Sequence, residues 1–249
     1  FVYDARLVDA VPVRQAITWL ALIGVVWGSL LAIAQKDAKR MLAYSSVSQV
    51  AYIGVGIGLG SPIALIGAMI HVLNHATMKC CLFMVTGCVE ARTGSTRLRR
   101  FGGLGYSMPW TFLGFTLAAL AMVGIPPTAG FFSKWYLVLG GMQQGEWAVV
   151  GIVVASSLLT AVYFFRLITR AYAPKDGEVE EIEGGEVSWT MAAPLVALGV
   201  GVLILGLFNS WFVNDILQHA LPAGSELPEM WHTIGPAAGA QDAVAILPK

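Results

Sequence analysis

Charged side chains are scarce in this chain of 249 residues: Asp, Glu, Lys and Arg together make up 12% of it, roughly half the share usual in water-soluble domains. That poverty excludes an ordinary soluble globule, and the balance of 15 basic against 15 acidic residues gives no reason to expect nucleic acid as a partner. Cysteine is nearly missing too. Cys80, Cys81 and Cys88 fall in or at the end of one apolar segment, without the spacing of a secreted disulfide scaffold or a zinc ribbon, so packing is their expected role. There is no glycine loop that cradles phosphate after a strand, no short tandem repeat and no basic-aromatic surface. No redox cofactor site or metal site is visible. Phe1 stands where a methionine would begin a chain and no signal peptide follows it, which leads us to expect a piece of something longer.

What the sequence has in abundance is apolar length. Hydrophobic residues reach 57%, mean hydropathy is +0.71, and uncharged runs cover Ala16 to Gln35, Met41 to Gly60, Pro109 to Ser133, Trp147 to Phe165 and Trp189 to Asn214. Each has about 19 residues or more, close to the number that crosses a hydrocarbon layer as a helix. Ser61 to Val89 adds another span, broken only by a few polar residues. Without strand-length alternation, these runs favour helices over a barrel. The expected fold is all-α: a polytopic transmembrane bundle of six or seven spans, occupying 1–217, with an acidic linker at 174–188 and an extramembrane tail at 218–249. The six acids between Asp176 and Glu186 read as a solvated linker, not a carboxylate cluster for catalysis.

Loop charge gives an orientation. Lys36, Lys39 and Arg40 follow the first span and Arg92, Arg97, Arg99 and Arg100 the third, whereas residues 60–62 carry no charge; the positive-inside tendency therefore puts the ends of both spans in the cytoplasm. Pro126 and Pro127 interrupt the next part, and glycines at 140, 141 and 145 interrupt it again. The pieces Thr128 to Met142 and Trp147 to Phe165 read as two crossings or one discontinuous crossing. Arg166, Arg170 and Lys175 favour the discontinuous one if that end is also cytoplasmic.

The stretch IHVLNHATMKCCLFMVTG, Ile70 to Gly87, holds the candidate chemistry. Steps of four residues turn a helix by about 400°, which sets His71, His75 and Lys79 in one column with rises of roughly 6 Å. A lysine at bilayer depth costs about 2.5 to 3.5 kcal/mol, and the uncharged runs contain no carboxylate to offset it; Glu90 on the same helix lies about 16 Å away by rise per residue. An amine withdrawn from water without a fixed counter-ion exchanges its proton more readily, and imidazole titrates near neutrality, so the column suits a proton relay. Lys134, shortly after the Pro126-Pro127 break, is a second relay candidate, because broken helices at membrane depth gather free carbonyls and water. Asp37 and Lys39, at a span end, could pair or govern proton entry. Ser45, Ser46, Ser48 and Gln49 could either bond neighbouring helices or order water. An intramembrane metalloprotease would need a glutamate directly after His71; Val72 stands there. A purely structural membrane subunit, its polar residues only holding helices together, is the alternative from another class.

In order, KDAKRMLAYSSVSQVAYIGVG, HVLNHATMKCCLFMVTG, MVGIPPTAGFFSKWYLVLG and SSLLTAVYFFRLITRAY resemble the proton-conducting antiporter-like subunits shared by Mrp-type sodium/proton antiporters, respiratory complex I and membrane-bound hydrogenases. The wording around Lys134 looks closest to the D-type subunit of the Mrp antiporters, so the resemblance implies proton translocation as a subunit of a monovalent cation/proton antiporter of that type, with a proton-pumping subunit of an NADH-quinone oxidoreductase or membrane-bound hydrogenase complex as the alternative. The resemblance implies a fold of some fourteen helices with two inverted five-helix repeats, each with a broken helix, of which this chain would be the second repeat and a trailing helix. It further implies Lys79 as the central relay lysine, His71 and His75 as its connecting histidines, Lys134 as the broken-helix lysine near the exit half-channel, and Asp37 with Lys39 as an ion pair in the connecting loop. Expected partners are other membrane subunits of an antiporter or redox complex, the absent N-terminal antiporter-like half, the lipid bilayer, protons and sodium; nucleic acid and cofactors are not expected. The expected location is the inner membrane of a prokaryotic cell.

Overall fold

The computed structural model describes residues 13–173 and 185–215. The expected acidic linker falls mostly outside these residues, and the expected tail at 218–249 lies wholly outside them.

Five helices among the described residues have the length and apolarity to cross a bilayer: α1 (Val13–Ala34), α2 (Ala38–Leu59), α3 (Pro62–Thr93), α7 (Trp147–Tyr172) and α8 (Trp189–Leu207). Shorter pieces intervene: α4 (Leu104–Ser107), α5 (Pro109–Val123) and α6 (Ala129–Gln143), with α9 (Asn209–Asp215) closing the described chain. The boundaries follow local chemistry. Asp37 caps α2 by accepting from the Arg40 backbone N–H at 3.1 Å, and Ser61 caps α3 with Pro62 in the first turn, where a missing N–H is harmless.

The crossing directions are fixed by contacts at the two ends. At one end, the chain after α1 meets the chain after α3, with Ala38 N–H donating to Thr96 O and Leu98 N–H to Lys36 O, and the end of α7 joins them through Arg166, which donates to Ile33 O and Gln35 O at 2.9 and 3.1 Å. At the other end, Gln144 donates to Leu59 O at 2.8 Å, beside Arg14 and Thr18 at the start of α1. Among the described residues the first end carries nine Lys and Arg residues and the second only Arg14, and the positive-inside tendency assigns the first to the cytoplasmic side.

These directions relocate the discontinuous crossing. The sequence suggests joining Thr128–Met142 to Trp147–Phe165, but α7 is one unbroken helix of 26 residues and crosses alone. The uncharged run from Pro109 to Ser133 is likewise not one span. Instead α5 and α6, with 15 residues each or about 22 Å, are too short to cross singly and together carry the chain from the cytoplasmic end to the opposite one. Gly124 ends α5 with φ +92°, a left-handed conformation that a side chain would oppose. The Pro126-Pro127 peptide is cis, and α6 begins at Ala129. The result is six crossings among the described residues.

The polarity of the bundle is inverted relative to a soluble protein. Trp27 is 63% and Leu158 67% exposed, while His71, Gln49 and Ser45 are fully buried; large apolar side chains face lipid and the polar ones face each other. The largest apolar cluster, including Met78, Leu82, Phe112, Phe115, Phe164 and Leu195, ties α3 to α5, α7 and α8. Glu186 departs from the solvated-linker reading: its carboxylate accepts from the backbone N–H of Trp110 and Thr111 at 2.8 and 3.2 Å, an anion at the start of α5 where unpaired N–H groups and the helix dipole favour it.

Candidate functional site

The site lies where α2, α3 and α6 meet the break between α5 and α6. Helix α3 supplies the column as its periodicity requires. The rings of His71 and His75 stack with centroids 6.2 Å apart and planes 11° from parallel, and Lys79 lies one turn further toward the cytoplasm.

Lys79 is 6% exposed, and neutral oxygens hold its ammonium: Leu42 O at 2.7 Å and the Ser45 hydroxyl, with the Phe83 ring 6.0 Å away. No carboxylate among the described residues forms a salt bridge to it; the nearest acid on its own helix, Glu90, is taken by Lys39 at 2.5 Å. That pair corrects the expectation that Lys39 bonds Asp37. Asp37 caps α2 and accepts from the Thr96 hydroxyl, so its carboxylate is committed, whereas Lys39 reaches along the cytoplasmic end to α3.

Lys134 is also 6% exposed. It sits one and a half turns into α6, and its side chain folds back across the break so that Nζ donates to Met122 O at 2.8 Å and Val123 O at 3.1 Å. These carbonyls are at the C-terminal end of α5, where they lack helical donors and the dipole is negative. Breaking the helix thus creates the acceptors that the ammonium uses. A Cβ on Gly124 would stand 3.3 Å from Lys134 Cδ, so the same glycine that ends α5 leaves room for the lysine stem.

Several residues join the two lysines. His71 Nδ1 and the Ser133 hydroxyl are 2.9 Å apart, and Asn74 donates to Ala129 O at 2.7 Å. The Tyr52 ring centroid lies 5.4 Å from that of His71 and 5.3 Å from Lys134 Nζ, within cation–π range. Along α2, Ser45 meets Lys79 and Tyr52 meets both His71 and Lys134; Gln49 lies on the same stripe between them. Both amide atoms of Gln49 are buried without a protein partner, as are Nε2 of His71 and Nε2 of His75. Each therefore keeps hydrogen-bonding capacity that water can use. The sequence singles out Gln49 but not Tyr52, Asn74 or Ser133. Tyr52 is legible in principle, three residues after Gln49 and seven after Ser45; Ser133 and Asn74 depend on which face of α6 meets α3.

The other polar residues of α2 divide by role. Ser48 bonds Ser29 at 2.8 Å and Val25 O at 2.9 Å, tying α2 to α1, and Ser46 bonds back to Leu42 O. All three cysteines are free, and Cys81 packs with its thiol against Gly114 O and Leu195 O. His71 and His75 belong to no group of three or more potential metal ligands among the described residues.

Residues 3–160 match the family described as NADH:quinone oxidoreductase/Mrp antiporter, transmembrane. The chain is 48% identical over 222 residues to NADH-quinone oxidoreductase subunit N of Desulforudis audaxviator, covering 85% of this chain and 44% of that protein. It is 31% identical over 208 residues to the D-type Na(+)/H(+) antiporter subunit of Alkalihalophilus pseudofirmus, covering 84% and 41%. A chain in the structure of the membrane-bound sulfane sulfur reductase, an archaeal respiratory membrane complex, superposes with a TM-score of 0.75 at 31% identity, covering 83% of this chain and 42% of that one. The chain thus spans less than half the length of the proteins it matches. Matched over more than half its own residues, with the all-helical bundle and discontinuous crossing described above, it is a member of the NADH:quinone oxidoreductase/Mrp antiporter transmembrane family.

Proposed function

We propose that this chain carries protons through the membrane as the second antiporter-like repeat of a subunit in a redox-driven complex of the quinone oxidoreductase type. The observation that carries the reading is the pairing of two buried ammoniums, Lys79 and Lys134, each held by neutral oxygens and linked by His71, His75 and Tyr52. An ammonium fixed by neutral acceptors can lose its proton without leaving a carboxylate unpaired, which a locked salt bridge does not allow. A proton passes from Lys79 through His75 and His71 to Lys134, with water bridging the free Nε2 atoms and the Gln49 amide. The charge on one lysine biases proton affinity at the next. Asp37 and Lys39 lie at the cytoplasmic end, where the proton enters; Lys39–Glu90 is the ion pair available there.

Redox coupling is preferred to sodium exchange because identity to the subunit N relative, 48%, exceeds that to the D-type antiporter relative, 31%. The antiporter reading is the second, supported by the wording around Lys134. Partners are the rest of the antiporter-like subunit and neighbouring membrane subunits, in a prokaryotic cell membrane. Vesicles containing the whole complex test both readings. Quinone reduction should acidify their lumen with the wild-type protein, and Lys79→Ala or Lys134→Ala should abolish acidification while the complex still assembles. Proton movement driven by a sodium gradient without an electron donor would favour the antiporter. Lost assembly in both variants would support a structural role alone.

A further inference from the structure

The cytoplasmic end holds a basic cavity apart from the buried path between Lys79 and Lys134, with only Asp37 shared with the proposed proton entry. An open cavity of about 910 Å³ lies between the ends of α1 and α7, the start of α2 and the turn after α3. Among the described residues its lining includes Lys36, Arg40, Arg97, Arg99 and Arg166 and one acid, Asp37, whose carboxylate already accepts from Arg40 N–H and Thr96. Arg166 forms the floor. Its terminal nitrogens close the last turn of α1 through Ile33 O and Gln35 O, and its Nε is buried without a protein partner. So much positive charge around one hollow calls for an anion.

The depth and the neighbours of the cavity identify which anion. Arg166 is within the last two turns of α7, level with the end of α1, where hydrocarbon gives way to headgroups. Leu30 on α1 and Val162 on α7, one turn deeper, and Phe165 directly before Arg166 are 46%, 53% and 42% exposed. The face thus has a basic rim above an apolar strip, the pattern that suits a phosphate headgroup and its acyl chains, whereas free phosphate would leave the strip uncovered. We propose that this cavity binds the phosphate of an anionic phospholipid whose chains lie against the adjoining strip of α1 and α7.

Arg97 and Arg99 are exposed and lie outside the proton path, so the double variant Arg97→Gln/Arg99→Gln tests the site in the intact complex. Complex should be reconstituted in nanodiscs of equal phosphatidylglycerol and phosphatidylcholine, and retained lipid read by native mass spectrometry. Wild-type complex should retain phosphatidylglycerol preferentially, and the double variant should retain it more than about tenfold less, since each basic side chain near an anionic headgroup contributes about fivefold. Washing with excess inorganic phosphate should leave the lipid in place. Equal retention of the two lipids, undiminished retention in the variant, or displacement by inorganic phosphate would each overturn the proposal. Proton movement that stays at the wild-type rate in the variant is expected, and a melting temperature equal to wild type checks that its fold is intact.

Discussion

His71 Nδ1 lies 2.9 Å from the hydroxyl of Ser133, which joins the histidine column of α3 to the residue directly before Lys134 on α6. Ser133 also donates to Gly130 O at 3.1 Å, so one hydroxyl orients the imidazole and is itself oriented by the start of α6. Ser133→Ala should cost about 1–3 kcal/mol, because His71 Nδ1 is left unpaired in a buried place. It should also slow proton movement. Thermal unfolding of the complex and vesicle acidification check the two effects separately.

Lys79→Arg and Lys134→Arg separate a titrating amine from a structural cation. Arginine keeps charge and hydrogen-bond donors but does not release its proton. Each variant should lower proton movement by about a hundredfold, the scale on which positioned proton carriers act, while the complex assembles. Arginine variants with full proton movement would show that only the charge is needed.

Gln49→Leu is expected to separate stability from function. Its amide atoms are buried without protein partners, so leucine, of similar volume, breaks no protein hydrogen bond and should leave stability nearly unchanged. Proton movement should fall, because the water between Lys79 and His71 loses its amide. A variant that is equally active would remove Gln49 from the path.

Gly130→Ala tests the joint of the broken crossing. A Cβ there would collide with the Ala121 carbonyl, forcing α5 and α6 apart, and overpacking of this kind costs about 1–3 kcal/mol or more. Gly151 on α7 has nothing within 4 Å of its Cβ position, so Gly151→Ala should be neutral or stabilise by up to about 1 kcal/mol. Melting temperatures of the two variants, side by side, check the contrast.

Glu90→Gln removes the acid of the Lys39–Glu90 pair. Both side chains are nearly half exposed, 47% and 45%, and such pairs contribute about 0–1 kcal/mol. Stability should therefore change little, and a clear loss of vesicle acidification would assign the pair to proton entry. An unchanged rate would leave it a surface contact.

The helical column, the membrane crossings and the absence of acids from the apolar runs are all legible in the sequence, because each depends on residues close together in the chain. Four-residue spacing alone aligns His71, His75 and Lys79, and run length alone places them at bilayer depth. The same logic misjudges the broken crossing. Uncharged length makes 109–133 look continuous, whereas Gly124 and the two prolines end one helix and begin another, and α7 crosses unaided.

Partners across helices are a different matter. Glu90 is 51 residues from Lys39, Ser133 is 62 from His71 and Leu42 is 37 from Lys79; no periodicity specifies such pairs. By itself the sequence determined that two lysines would be buried without a carboxylate in the uncharged runs, since composition and helix rise fix both facts. Only the tertiary structure decided what holds them. Neutral oxygens of α2 and the broken end of α5 fill that role, because side-chain packing between helices, not the order of residues along one of them, selects which faces meet.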